Sequence, residues 1–156
     1  MSDLLDTIPI ENIFRLAPGH NEAIPLFMSP AKAGFPSPAE PFIEQRLNLH
    51  DLCVPRHETA YFVKASGDSM TGDYIYPGSI LVVDSSVDVD SGKVIVAAIN
   101  GEWCVKRFVR VDTNLVMLES SNAAYAPIYV HTGDQFEVLG VVTYIVSRPP
   151  RYVRPS

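Results

Sequence analysis

The distribution of apolar and polar positions changes character near residue 58. Beyond it, short runs rich in Val, Ile, Leu and aromatic residues are separated by Gly, Asp, Asn and Ser. This pattern predicts strands at 60–65 (AYFVKA), 80–84 (ILVVD), 93–99 (KVIVAAI) and 102–109 (EWCVKRFV). Three more are expected at 115–119 (LVMLE), 128–131 (IYVH) and 136–146 (FEVLGVVTYIV). Asn100-Gly101, between two of them, is a strong hairpin signal, because a two-residue type I′ turn needs positive φ at both central positions. Short strands at this spacing imply a mainly β fold, an antiparallel sandwich or a small rolled barrel.

Upstream the pattern is dominated by proline. Eight of the 13 prolines lie before residue 58 and only Pro77 and Pro127 between 58 and 147. Each proline fixes φ and removes a backbone donor, so this stretch is unsuited to central strands or a long helix. It reads as an extended N-terminal arm (1–57), with a short helix expected over 41–49, where Phe42, Ile43, Arg46 and Leu47 are partly helical in spacing. The β-rich domain spans 58–147. An Arg- and Pro-rich tail (148–156) carries Arg148, Arg151 and Arg154 and reads as loose and polyproline-like.

Composition narrows the function. With 47% hydrophobic and 19% charged residues the chain can bury a core. Its net charge of −6 argues against a protein that grips duplex DNA alone through phosphates. Two cysteines, Cys53 and Cys104, make no disulfide scaffold. The first residues lack a basic, apolar leader and no apolar run reaches the length of a membrane span, so a cytoplasmic protein without membrane contact is expected.

The most unusual local sequence is Ser66-Gly67-Asp68-Ser69-Met70, directly after a strand. Gly67 permits a sharp bend, and Ser69 beyond it can present its hydroxyl and backbone N–H outward, as a nucleophile beside main-chain oxyanion donors requires. A serine in that place can equally cap a turn. The four histidines, His20, His50, His57 and His131, have no obvious orienting partner. Lysine is the other base open to a serine, and Lys106 lies mid-strand on the same face as Cys104 and Phe108. Apolar surroundings disfavour the charged form of an amine, and a neutral amine can accept a serine proton. The competing reading is an edge-strand lysine whose head reaches water.

Several segments together are similar to the LexA-like self-cleaving Ser–Lys peptidases, most closely the UmuD type of the bacterial SOS mutagenesis pathway. They are Ala33 to Pro38 (AGFPSP), Phe42 to Arg46 (FIEQR), Tyr61 to Met70 (YFVKASGDSM), Val83 to Ser85 (VDS), Val94 to Ala98 (VIVAA) and Val105-Lys106, within residues 25–147. The resemblance implies Ser69 as nucleophile, Lys106 as general base and the backbone N–H groups of Asp68 and Ser69 as the oxyanion hole. It implies cleavage of the chain's own bond between Ala33 and Gly34, stimulated by a RecA filament on single-stranded DNA. It also implies a homodimeric product that joins a UmuC-like, Y-family polymerase subunit in translesion synthesis, with no cofactor. The residues agree: alanine before the bond suits a small pocket, glycine after it allows close backbone approach, and Pro30, Pro36 and Pro38 keep the segment extended.

Pro77-Gly78-Ser79 stands where the family often has Asp-Gly-Asp, which implies a local loop change, and both the arm and the tail are longer than usual. The residues before Ala33 are too few and too proline-rich for a winged helix-turn-helix. Other readings are a non-catalytic β module that binds proteins and a LexA- or phage-repressor-like regulator. His50, Cys53 and His57 resemble metal-ligand spacing, but no second pair accompanies them, and no metal is expected.

Overall fold

The structure, a computed structural model, describes residues 8–9, 12–15, 24–27, 43–150 and 155. Its strands, numbered in chain order, are β1 (Ile13–Arg15), β2 (Ile24–Phe27), β3 (Ile43–Leu47), β4 (Ala60–Lys64) and β5 (Ile80–Asp84). They continue as β6 (Val94–Ile99), β7 (Glu102–Arg110), β8 (Leu115–Glu119), β9 (Ile128–His131) and β10 (Phe136–Val146), and one short helix, α1 (Leu49–Cys53), follows β3. The chain forms two compact units, Ala17–His57 and Met1–Leu16 with Glu58–Ser156.

The mainly β expectation holds. In the larger unit, eight strands form one antiparallel sheet in the order β1-β4-β5-β10-β6-β7-β8-β9. Four of the seven expected strands keep their boundaries and the other three shift by one residue at an end. Asn100 (φ 50) and Gly101 (φ 86) form the two-residue turn between Ile99 and Glu102, the conformation their sequence favours.

Alternation along the central strands puts a separate core on each face. Val96 and Val105 join Val63, Leu81 and Val83 in one cluster, whereas Ile95, Ala97 and Phe108 join Leu118, Val130 and Val141 in the other. Having apolar residues on both faces explains why VIVAAI and ILVVD are continuous hydrophobic runs rather than alternating ones. β10 links the halves: its first part pairs with β6 and its second with β5, with irregularities at Val138/Gly140 and Val142/Tyr144 that re-aim the strand.

The smaller unit corrects one expectation. Residues 43–47, expected to be helical, form β3, which pairs antiparallel with β2 from Ile24↔Leu47 to Phe27↔Ile43. The helical spacing was partial, and cross-strand pairing outweighs it. Pro25, opposite Arg46, is tolerated because a two-stranded ribbon has only edge strands. The helical turn begins later, where the Asn48 side chain accepts a hydrogen bond from Asp51 N at 3.2 Å.

Gly140 marks a close backbone contact within this sheet. A Cβ there would lie 2.7 Å from the carbonyl carbon and oxygen of Asp84 and 2.9 Å from Ser85 N. Gly140→Ala is expected to cost about 1–3 kcal/mol of stability, read as a lower urea midpoint at unchanged slope.

Candidate active site

The site is built where a central strand runs out of partners. β7 is paired with β6 from Glu102 to Arg107, but β8 joins it only from Arg107↔Glu119 onward. The stretch 102–106 therefore has a flank that β8 does not cover. Lys106 sits at the end of that stretch, 2% exposed, with Ile95 as its cross-strand neighbour on β6. A buried amine needs a hydrogen-bond partner to offset its lost water. The segment after β4 supplies one: Lys106 Nζ donates to Ser69 Oγ at 2.8 Å, 37 residues apart in sequence. Ser69 is likewise 2% exposed.

The segment carrying Ser69 is held at both ends. Ala65 N donates to Ser79 O and Gly78 N to Ala65 O, each at 2.8 Å, so the exit from β4 is tied to the approach to β5. Gly67 adopts φ 77, the left-handed conformation that makes the bend inexpensive for glycine. Past Ser69, Met70 and Ile75 are buried in the β4–β5 core, and the chain between them turns tightly over Thr71–Asp73. Two core anchors thus bracket a short turn and fix where Ser69 lies.

The loop following β8 grips the segment from its carbonyl side. Asn122 N donates to Ser69 O at 2.9 Å and Asn122 Nδ2 donates to Asp68 O at 3.1 Å. In a trans peptide the C=O and the following N–H point in opposite directions. Fixing Asp68 O therefore aims the Ser69 N–H away from Asn122, the orientation a main-chain oxyanion donor needs. The Tyr125 hydroxyl donates to the Asp68 carboxylate, and the Tyr125 ring lies 5.7 Å from Lys106 Nζ. Asp73 N donates to Ser121 Oγ at 3.1 Å, and the backbone approach at Gly72 is so close that a Cβ would stand 2.4 Å from Ser121 O. Arg107 closes the set from β7, pairing with the Asp73 carboxylate and donating to Gly92 O at 2.7 Å.

A narrow recess of about 10 Å3 borders Ser69, lined by Ala65, Ser66, Gly67, Met70, Ile75 and Val105. The arrangement offers a buried hydroxyl bonded to a buried amine, an oriented backbone N–H and a small recess. That set suits acyl transfer at a peptide carbonyl next to a small side chain.

Of the residues singled out by sequence, the structure brings Ser69, Lys106 and Asp68 together. Ala33 and Gly34 lie outside the described residues. His131 is exposed at the end of β9, 3.8 Å from Asp134 Oδ2. Among the described residues no group of His, Cys, Asp or Glu is placed to hold a metal ion, His50, Cys53 and His57 included. Sequence reasoning missed Gly72, Asn122 and Tyr125. Residues 120–127 fall between two expected strands, and nothing local signals that they face a loop some fifty positions earlier.

Residues 25–143 match the model of the Peptidase S24-like family. Protein MucA of Salmonella typhimurium is 35% identical over 133 residues, covering 85% of this chain and 90% of that protein. Protein ImpA of Shigella flexneri is 34% identical over 124 residues, 80% of this chain and 83% of that protein. The LexA repressor of Anaeromyxobacter dehalogenans is 35% identical over 118 residues, 74% of this chain and 51% of the repressor.

The grip of Asn122 has a measurable consequence. Asn122→Ala removes the bond to Asp68 O and the one its Oδ1 accepts from Ala124 N at 3.0 Å. It is expected to lower stability by about 1–2 kcal/mol and to reduce backbone order parameters selectively at 67–70. Order parameters unchanged in that stretch would show that the loop is held without it.

Proposed function

The chain belongs to the Peptidase S24-like family as a UmuD-type, LexA-like protein, and we propose that it is a serine peptidase that cuts its own backbone between Ala33 and Gly34. The observation that carries the reading is the buried 2.8 Å hydrogen bond between Lys106 and Ser69. Lys106 Nζ accepts the proton of the Ser69 hydroxyl as Oγ attacks the Ala33 carbonyl carbon. The resulting oxyanion is held by the backbone N–H groups of Asp68 and Ser69. The bond to Gly34 nitrogen breaks, the leaving amine takes the proton from Lys106, and Ala33 remains as an ester on Ser69. Lys106 then deprotonates a water that hydrolyses the ester and restores the serine. The small recess beside Ser69 suits a short side chain such as alanine at the acyl position.

The downstream role follows the UmuD type. A RecA filament on single-stranded DNA stimulates the cut by favouring conformations that present Ala33 to Ser69, a shift of populations with no new chemistry. The product from Gly34 onward acts as a homodimer with a UmuC-like, Y-family polymerase subunit in error-prone translesion synthesis in the cytoplasm. Similarity to Protein MucA and Protein ImpA supports this reading, and the net charge of −6 suits a protein that meets DNA through its partners. No helix among the described residues is long and apolar enough to cross a membrane.

Intact-mass analysis after incubation across a pH series tests the chemistry. A protonated amine cannot accept the serine proton, so self-cleavage without RecA should accelerate as pH rises and yield a fragment beginning at Gly34. Ser69→Ala should leave the chain whole. Lys106→Arg, whose guanidinium stays charged, should slow cleavage by about 10²- to 10⁴-fold or more. A rate indifferent to pH, or a Lys106→Arg chain that cleaves normally, would remove Lys106 from the mechanism.

A further inference from the structure

Ile8, Pro9 and Asn12 to Arg15 precede the segment matched by the family model, yet they are built into the larger unit. Ile8 is 3% exposed, inside the cluster that contains Val63, Leu81 and Val105. Its N–H donates to Trp103 O at 2.7 Å, on the part of β7 that β8 leaves uncovered. Asn12 N donates to Pro9 O at 2.9 Å. The chain then enters β1, which pairs with β4 through Ile13↔Val63, Phe14↔Phe62 and Arg15↔Tyr61. Ile13 packs on the same core as Ile8, and the Arg15 guanidinium donates to the Tyr61 hydroxyl at 3.4 Å with its carbon 5.8 Å from that ring's centre. One short segment therefore covers parts of two strand edges, β4 at Tyr61 to Val63 and β7 at Trp103, and fills a core position between them.

From this geometry we infer that the β4 edge and the Trp103 flank of β7 form a peptide-docking surface whose occupant is the chain's own N-terminal segment, held through Ile8 and Ile13–Arg15. The segment stays bound there as a separate peptide once the chain is cut anywhere between it and residue 43. What holds it is burial of Ile8 and Ile13 together with main-chain pairing, and these survive loss of the covalent link; the cut removes only the high effective concentration that the link supplies. The biological occasion rests on the self-cleavage proposed above; the docking does not. Self-cleavage at Ala33 then yields a nicked two-chain protein that keeps β1, with the β4 edge still covered. An uncovered β4 would present a row of unpaired backbone groups to any extended peptide.

The test uses the full chain carrying Ser69→Ala, with a site-specific protease sequence inserted after Gly19 so that no residue of β2 accompanies the released end. After complete cutting, verified under denaturing conditions, gel filtration and native mass spectrometry are expected to find the N-terminal fragment together with the remainder at the mass of the uncut chain. Ile8→Asp should release it on cutting; if that variant unfolds the uncut chain, Ile8→Ala, read as faster loss on dilution, takes its place. A fragment that separates from a folded remainder at once overturns the inference, as does a fragment retained equally with and without the Ile8 side chain. Because an added protease makes the cut and Ser69 is absent, the result is independent of self-cleavage. A chain that never cuts itself but holds its fragment defeats only the peptidase reading, and one that cuts itself but sheds the fragment defeats only this one.

Discussion

A lysine in the interior is the constraint around which this molecule is arranged. Lys106 lies on a strand whose two faces are both apolar, and its amine has been withdrawn from water. Such a group must find a hydrogen-bond partner inside the protein. Along most of a sheet the neighbouring strand blocks the approach of anything else. Here β8 begins to pair only at Arg107, one residue past the lysine, so a loop can come alongside and place a hydroxyl against the amine. Where one strand stops pairing sets where the site can exist.

The rest of the local architecture follows from holding that loop still. Met70 and Ile75 anchor it in the core, Gly67 gives it the bend, and Gly72 lets it pass against the Ser121 backbone where any side chain would collide. The chain leaving β8 then turns back and fastens two successive carbonyls through Asn122. The same strand ending that opens the flank thus also provides the segment that closes it. A hydroxyl confined in this way loses little freedom when it reacts, which is the contribution positioning makes to acyl transfer. The uncovered part of β7 serves a second purpose at Trp103, where Ile8 completes the core from a segment far upstream in sequence.

The β architecture was largely legible in advance because its signals are local. Runs such as ILVVD and LVMLE bounded by turn residues place strands to within a residue, and Asn100-Gly101 has a conformational preference that needs no tertiary help. Residues 43–47 misled because five residues with partial helical spacing carry too little free energy to resist pairing with β2. β1 went unseen for a related reason: IFR is too short to announce a strand and is one only because the β4 edge is available to it.

The amino-acid sequence by itself determined the number and extent of the central strands and the tight turn between β6 and β7. It singled out Ser69 and Lys106 as candidates, but alternation left Lys106 open to a structural reading and only a family resemblance joined the two. Only the tertiary structure decided that the amine and the hydroxyl meet, that Asn122 and Tyr125 hold the loop between them, and that Ile13–Arg15 belong to the sheet. The physical reason is range. Backbone preference and strand alternation act over a few residues and leave a trace in each stretch of chain, whereas the meeting of positions 69, 106 and 122 depends on register and strand ending across the whole sheet, which no local pattern records.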